Sequence, residues 1–203
     1  MRIIIPLVLF ILIIIGTSIK YRDPEVKIEI IEKKIPVPVP IPSPPDTIII
    51  YKDVKDLQIK RQGAPKEQHL KNMIKAANAI YVPLLGFMKE KLGYDVDIPI
   101  TSFYRNSWYN RRCKGATRSQ HLHGLAFDFD LMGKYKKYGL TNYDLYRFIK
   151  ESLEFDQLII YTSSKAPTYI HVSFNEGKNR KKIYLAYYNN KGQLKYKNIT
   201  NYK

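Results

Sequence analysis

Apolar residues at helical spacing fill the chain between Lys66 and Leu92. They recur at intervals of three and four positions, which predicts an amphipathic helix with one buried face. Pro83 predicts a kink or a division in this helix, because proline lacks the N–H that a helix interior needs. Gly93 predicts its end. The apolar positions are Leu70, Met73, Ile74, Ala77, Ile80, Tyr81, Leu84, Leu85 and Met88.

The elements after this helix are shorter. Thr141 and Asp144 have the spacing of a capping box and predict the start of a second helix. The last two predicted strands flank the sequence NNKG, which predicts a hairpin. Helices and strands do not alternate regularly, so the predicted fold class is α+β. Runs of apolar residues predict strands at 96–103, 125–131, 157–161, 169–174, 182–188 and 193–198.

The amino-terminal segment is almost purely apolar from Ile3 to Ile19. As a helix it would span roughly 25 Å, a little short of a typical hydrocarbon core. Residues 1–20 are therefore predicted to be a signal anchor or a signal peptide. More basic residues follow this apolar run than precede it, a distribution that by the positive-inside rule opposes export of the rest of the chain.

A proline-rich segment follows, with proline at alternate positions of IPVPVPIPSPP, residues 35–45. This pattern favours polyproline II and predicts a semi-rigid spacer of about 34 Å, at roughly 3.1 Å per residue. The sequence of residues 46–60 predicts either a short strand or a continuation of the linker. The predicted organisation is a membrane segment at 1–20, a linker at 21–60 and a folded domain at 61–203.

The chain is strongly basic, with 34 Lys and Arg against 18 Asp and Glu and a formal net charge of +16. Such an excess indicates a polyanionic partner or surroundings, such as nucleic acid, anionic lipid or an anionic cell wall. The sequence contains no recognisable nucleic-acid-binding motif, so nucleic acid is not expected as a partner. Cys113 is the only cysteine, which excludes an intrachain disulfide and a cysteine-based zinc site.

Candidate metal ligands are concentrated in SQHLHGLAFDFD, residues 119–130. His121 and Asp128 are residue types that normally bind zinc, and the small residues between them let the backbone pass close to a metal. A third ligand has to come from elsewhere in the chain. His171 lies among strand-forming residues and can point from a sheet into a cleft, whereas His69 is expected to be solvated. From spacing alone, hydrogen-bonded structural histidines and solvated aspartates remain open.

The stretch SQHLHGLAFD fits SxHxxGxAxD, the signature of the zinc D-alanyl-D-alanine carboxypeptidase family. ITSFYRN resembles the family's S-x-Y-R segment, YNRRCKGATRSQH resembles its loop before the first ligand, and FDQLIIY and YIHVSFNEGKNRKK resemble its closing strands. The resemblance covers residues 67–194. It implies a small antiparallel sheet with flanking helices, a fold that the family shares with the hedgehog signalling domain. The family includes peptidoglycan L-alanyl-D-glutamate endopeptidases of phages.

The resemblance also implies roles for individual residues. His121, Asp128 and His171 would be the ligands of a zinc ion. Arg105 would hold the substrate, because its planar guanidinium suits a carboxylate or a peptide carbonyl. Ser119 would help to position the substrate, with a loop-structuring hydroxyl as an equal alternative. The corresponding expectations are zinc as cofactor, peptidoglycan as partner, and a domain on the periplasmic or extracellular side, secreted or tethered to the membrane by residues 1–20.

One departure from the family concerns the catalytic base, which accepts a proton from the attacking water. Relatives supply a carboxylate either a few positions before the last histidine or at the end of the DQLI strand. Thr168 and Tyr161 occupy these two places, and neither can act as a carboxylate base. His123 is a candidate substitute, because a neutral imidazole near zinc can accept a proton.

Two functions are consistent with these features. The first is a zinc peptidase that acts on the peptide stems of peptidoglycan, with Arg105, Tyr161 and His123 as candidate catalytic residues. The second is a binding module that keeps the zinc site, has lost the chemistry and docks to the cell wall. The absent carboxylate favours the binding module, whereas the family resemblance favours the peptidase, and the peptidase is our expectation.

Overall fold

A computed structural model describes residues 51–131, 133–163 and 167–201 of the chain. The predicted membrane segment at 1–20 and the linker up to residue 50 lie outside the described residues. Within the part that is described, no helix combines the length and the apolar character needed to cross a bilayer.

The long predicted helix is confirmed and is interrupted close to Pro83. A π-helical turn, Ala77–Tyr81, joins its two halves, and the second half begins one residue before the proline. The wider π turn tolerates a residue that cannot donate a backbone hydrogen bond. Gly93 ends the helix at a φ of 79°, as predicted. The described α-helices are α1 Tyr51–Leu57, α2 Glu67–Ala76, α3 Val82–Leu92, α4 Ser107–Arg112 and α5 Asn142–Ser152.

The strands of the described residues form a six-stranded sheet in the order β1-β2-β4-β3-β5-β6. The α+β class is confirmed, but the expectation of an antiparallel sheet is wrong at one pair, because β3 and β5 are parallel. Strand β4 already occupies one edge of β3, so the chain crosses to the other edge before it forms β5. The strands are β1 Ile100–Ser102, β2 Ala126–Phe129, β3 Gln157–Thr162, β4 Pro167–Ser173, β5 Lys182–Tyr188 and β6 Leu194–Asn198.

The two faces of the sheet have different roles. One face carries Phe127, Val172 and Ile160, which are buried in the hydrophobic core together with Met73 and Ile149 of the helices. Because side chains alternate along a strand, the residues between these positions project from the opposite face. That second face, which we call the open face, carries the candidate metal ligands of β2 and β4.

Helix α1 corrects the predicted boundary of the folded domain. Residues 46–60 were expected to form a strand or more linker, but Tyr51–Leu57 is helical and Val54 is fully buried in the core. Val54 and Leu57 are three positions apart and so lie on one side of the helix. A helix this short shows too few apolar positions for its period to be recognised. The folded part therefore begins before residue 61.

Candidate metal centre

The sheet brings the two ligands of its open face together. Asp128 on β2 and His171 on β4 are directly opposite each other in the register, although 43 positions separate them in the chain. His121 lies in a 3₁₀ turn, Gln120–His123, just before β2. The candidate ligand atoms of these three residues all lie within 4.8 Å of one another. The three residues identified from the sequence thus form one buried cluster.

His121 is held in one orientation by the backbone of the segment that follows β1. Its Nδ1 lies 2.6 Å from the carbonyl oxygen of Phe103. A carbonyl can only accept, so the proton of the neutral ring is on Nδ1 and the lone pair is on Nε2. The backbone N–H of Arg105 donates to the carbonyl of His121 at 3.0 Å and fixes the turn itself. A hydrogen bond of this kind on the second nitrogen is typical of metal-binding histidines.

Gly124 allows the turn that carries His121 to pack closely on helix α2. Its φ is +69°, a left-handed conformation that favours glycine. A Cβ atom at this position would lie 2.6 Å from Cγ of Met73 and 2.8 Å from the carbonyl oxygen of His69. The close approach explains why a glycine stands between the first two candidate ligands.

The donor set fits a metal ion such as zinc. Oδ1 of Asp128 lies 3.2 Å from Nε2 of His121 and 2.9 Å from Nδ1 of His171, and the two ring nitrogens are 3.1 Å apart. The edge of a tetrahedron with zinc–ligand distances of about 2.0–2.1 Å is about 3.3 Å, close to these separations. Because Nε2 of His121 carries no proton, it adds an acceptor to the cluster, and a cation would satisfy the converging acceptors.

Burial and mutual contacts set the charge of these groups. Burial lowers the pKa of His121 and so favours the neutral imidazole, the form that binds metals. Burial alone would raise the pKa of Asp128, but its polar contacts outweigh burial and hold that pKa well below its usual range, and Arg105 donates a hydrogen bond to the anionic form. Asp128 is therefore an anionic carboxylate at neutral pH.

A series of hydrogen bonds holds the carboxylate of Asp128 in place. Arg105 donates from Nη2 to Oδ2 of Asp128 and from Nε to the hydroxyl of Ser102, the latter at 2.6 Å. The hydroxyl of Ser102 donates in turn to Oε1 of Gln62 at 3.1 Å. Gln62 and Ser102 are 1% and 3% exposed, so their polar groups depend on these partners. Arg105 thus contacts a candidate ligand directly, in addition to the substrate-binding role expected for it.

The sequence did not identify Gln62 as part of the site. It comes from the short 3₁₀ turn Lys60–Gln62, which the sequence had placed at the border of the linker. Its partners Ser102 and Phe103 are 40 and 41 positions away, so no local pattern indicates the contact. Ser102 belongs to the S-x-Y-R segment, but its link to Gln62 is visible only in the fold.

His123 and Ser119 lie at the edges of the site. His123 is exposed, and its carbonyl accepts a hydrogen bond from the side chain of Asn72 of helix α2 at 2.8 Å. Ser119 precedes the 3₁₀ turn, where its N–H donates to Ala116 and its carbonyl accepts from Leu122. The backbone of Ser119 thus closes the loop, while the roles of His123 as a base and of the Ser119 hydroxyl in positioning substrate stay predictions.

Tyr161 lies on the open face, as expected from its place in β3. Its ring stacks on that of Tyr169 with centroids 4.0 Å apart, and its hydroxyl is 3.3 Å from that of Tyr196. Burial is the main cause that raises the pKa of Tyr161 far above its ordinary value. The phenol therefore stays protonated at neutral pH and can donate a hydrogen bond but does not serve as a base.

A cavity of about 380 Å³ opens beside the cluster, and of the three candidate ligands Asp128 lines it. Its lining includes Arg105, Asp128, Asp130 and Tyr169. Asp130 accepts a hydrogen bond from the buried Asn142 at 3.2 Å and does not belong to the group of three whose ligand atoms converge. A larger cleft of about 860 Å³ lies between α3 and residues 134–138, and its lining contains none of the candidate ligands.

Residues 56–173 match the family peptidase M15, and this segment is more than half of the chain. The chain belongs to the peptidase M15 family. This is the family of the zinc D-alanyl-D-alanine carboxypeptidases, so the resemblance read from SxHxxGxAxD is confirmed. The matched segment contains the three candidate ligands, Arg105 and Tyr161, and it ends before β5. No curated protein matches the chain.

Membership of this family supports a coarse statement about activity. M15 peptidases are zinc metallopeptidases, so this chain is related to a class of hydrolases. The cluster of His121, Asp128 and His171 is consistent with that class, because two imidazoles and a carboxylate leave one position of a tetrahedral zinc ion open for substrate or water.

Proposed function

We propose that the chain is a zinc-dependent peptidase that acts on the peptide stems of peptidoglycan. The observation that carries this proposal is the cluster of His121, Asp128 and His171 at tetrahedral separations beside an open cavity. We further propose that the domain works outside the cell, tethered by or released from the apolar segment 1–20, where a basic protein meets an anionic wall.

Two residues of the cavity, Arg105 and Tyr169, have a role in this proposal. When bound, zinc would polarise the scissile carbonyl and lower the pKa of the attacking water. Arg105 uses two of its five N–H groups on Asp128 and Ser102, and the others are available for a carboxylate or carbonyl of the substrate. Burial raises the pKa of Tyr169, so its phenol stays protonated and can donate to a developing oxyanion.

The second candidate function is a wall-binding module that has kept the metal site. The observation in its favour is Tyr161, which stands where relatives carry a carboxylate and has a phenol that stays protonated. Thr168, at the other family position of the base, is likewise unable to accept a proton. Without a general base the rate is expected to be roughly 10²–10⁴-fold lower than with one.

Metal analysis and hydrolysis assays on the purified full-length chain test this proposal. The wild type should contain about one zinc ion per chain, since the cluster supplies a single set of three ligands. His171→Ala should lose the metal, whereas His123→Ala, which changes an exposed histidine outside the cluster, should retain it. If His171→Ala keeps its zinc, the assignment of the third ligand is wrong.

Activity separates the two candidate functions. Release of fragments from purified peptidoglycan stems, followed by mass spectrometry, would support the peptidase if the release depends on zinc and is lost in His171→Ala. A wild-type chain that holds zinc and binds cell walls but releases no fragments supports the binding module instead.

A further inference from the structure

The β5–β6 hairpin lies beyond the segment 56–173 that matches the family. It nevertheless continues the open face of the sheet. In the register, Asp128 is opposite His171, His171 is opposite Ile159, and Ile159 is opposite Tyr184 on β5. A single row of side chains therefore runs from the metal centre onto the hairpin, so the hairpin is placed to extend the substrate-binding surface.

A neighbouring row on the same face consists largely of tyrosines. Tyr169 pairs with Tyr161, Tyr161 with Ala186, and Ala186 with Tyr196. Ala186 is fully buried and leaves space above it for the hydroxyls of Tyr161 and Tyr196 to meet at 3.3 Å. We call Tyr169, Tyr161 and Tyr196 the tyrosine row. It begins in the cavity, which Tyr169 lines, and ends on the edge strand.

The outer end of this surface is exposed. Tyr196 is 52% exposed. Tyr188 belongs to the next pair of residues on the same face of the hairpin and is 66% exposed. Between positions 182 and 198 the chain has four lysines and no acidic residue, but Lys195 and Lys197 pair with Tyr187 and Leu185 and so lie on the opposite face of the hairpin. Exposed aromatic rings that are continuous with a cleft are typical of a binding surface.

We propose that the tyrosine row, together with Tyr188, is a subsite for the N-acetylated amino sugar that carries the peptide stem. This proposal rests on the proposed function, because it extends the same substrate beyond the cavity. A pyranose ring has a face of C–H bonds, which an aromatic face attracts, and a rim of hydroxyl and amide groups, which tyrosine hydroxyls can bind. The row supplies both kinds of group.

The dimensions agree with one continuous substrate. Strand β6 lies three strand spacings from β4, which is about 14 Å at roughly 4.8 Å per spacing. An extended peptide spans about 3.3–3.6 Å per residue, so about four residues cover this distance. A peptide bond in the cavity can thus be joined to a sugar on the hairpin by a short extended stem.

Single-stranded nucleic acid is the competing occupant, because bases also stack on tyrosines and lysines also bind phosphates. We favour the sugar because the surface is continuous with the candidate metal centre, and the chain belongs to a family of zinc peptidases. An oligonucleotide is therefore one of the probes in the test.

Calorimetric titration of the full-length chain with three probes tests this subsite. The probes are the free disaccharide of the glycan strand, the free stem peptide and a short oligo-deoxythymidine. Tyr196→Ala and Tyr188→Ala should each weaken disaccharide binding by about threefold to tenfold, the usual range for an aromatic contact. Tyr196→Phe should keep most of the affinity because it keeps the ring. Tyr187→Ala is the matched control, since Tyr187 is exposed on the opposite face of β5.

The outcomes separate this subsite from the proposed function. The proposal stands if the tyrosine variants weaken binding of the disaccharide but not of the stem peptide, while His171→Ala weakens binding of the stem peptide but not of the disaccharide. It is overturned if the wild type does not bind the disaccharide, if Tyr187→Ala has the same effect, or if only the oligonucleotide responds. Disaccharide binding with the expected pattern, but no binding or cleavage of the stem peptide, would refute the peptidase and leave the sugar subsite intact.

Discussion

Tyr161 lies next to Tyr169, which lines the cavity, so an acidic side chain at this position would lie near the metal centre. Tyr161 pairs with Tyr169, so it is the diagonal neighbour of His171, and such neighbours on one face of a sheet are roughly 7–8 Å apart. A water between a glutamate at this position and the metal centre would lie within hydrogen-bond reach of the carboxylate. The phenol of the wild type has its hydroxyl 3.3 Å from that of Tyr196 and holds its proton.

Tyr161→Glu is therefore expected to raise hydrolysis of peptidoglycan stems. A general base typically contributes roughly 10²–10⁴-fold to a rate, which sets the upper range of the gain. The measurement is fragment release from purified walls, with zinc content checked in each protein. Tyr161→Gln is the matched control, because glutamine has nearly the same shape as glutamate but its amide cannot act as a base. Rapid wild-type hydrolysis that Tyr161→Glu leaves unchanged or abolishes would contradict this expectation, and His123→Ala would then test the remaining candidate base.

Asp156 is a second residue whose protonation has a measurable effect, and it lies away from the metal ligands. Burial alone would raise the pKa of Asp156, but hydrogen bonds from the side chain and backbone of Arg180 and from Gln120 outweigh it and lower that pKa. A carboxyl with a lowered pKa contributes its stability above its unfolded pKa of about 3.9 and loses it as the pH falls towards the folded value.

Asp156→Asn should lower the free energy of unfolding at neutral pH by about 1.5–3 kcal/mol, the usual value of hydrogen bonds to a charged group. The difference from the wild type should narrow below about pH 4, because the wild type then loses its own contribution. Urea unfolding at several pH values measures both effects. Asp95→Asn is a control with an exposed carboxylate, and a deficit for Asp156→Asn that is constant with pH would contradict the assignment.

Residue roles were predictable from the sequence where the motif is local. His121 and Asp128 stand seven positions apart in one signature, and the fold needs only a turn and a strand to join them. Gln62, Ser102 and Tyr169 were not predicted as parts of the site, because each acts through partners in distant segments of the chain. Sequence patterns with helical or strand periods contain no information about such contacts.

The residues directly after α1 contact the segment that holds the site. Gln58 accepts a hydrogen bond from the N–H of Tyr104 and donates to its carbonyl, and Gln62 accepts from the N–H of Phe103. These contacts fix the segment in which Phe103 holds His121 and Arg105 holds Asp128. An element assigned to the linker by its composition therefore supports the metal centre.

A chain that begins at Glu67 should consequently be less stable and bind zinc more weakly than one that begins at Asp46. Loss of partners behind metal ligands typically costs roughly 10–100-fold in metal affinity. Gln62→Ala in the longer protein should reproduce part of the loss of zinc affinity, by about tenfold or less. The substitution removes the acceptor of the Ser102 hydroxyl, which in turn accepts from Arg105. Chelator competition and thermal unfolding measure both quantities. Equal zinc affinity in all three proteins would show that α1 has no such role.

Element types were largely predictable, while their pairing was not. The capping box at Thr141 and Asp144, the end of α3 at Gly93 and the hairpin at NNKG are local signals, and the structure contains each of them. The parallel pairing of β3 and β5 depends on which edge of β3 remains free after β4 has paired with it. That choice is made by the whole sheet and leaves no pattern in either strand.

At the scale of the whole molecule, the net charge of +16 and the tyrosine row predict two separable contributions to wall binding. The charge is spread over the chain, so its attraction to an anionic wall acts at long range and is screened by salt. The screening length falls from about 10 Å at 0.1 M salt to about 3 Å at 1 M. Contacts between an aromatic ring and a sugar act at short range and are little affected by this change.

Co-sedimentation of the full-length chain with purified cell walls should therefore show binding that falls as salt is raised and then levels off. The part lost with salt should be the same in the wild type and in Tyr196→Ala, because the substitution does not change the charge. The part that remains near 1 M salt should fall in Tyr196→Ala and not in Tyr187→Ala, because only the first ring lies on the open face. Binding that is independent of salt would exclude the long-range contribution, and residual binding that all three proteins share equally would exclude the tyrosine row.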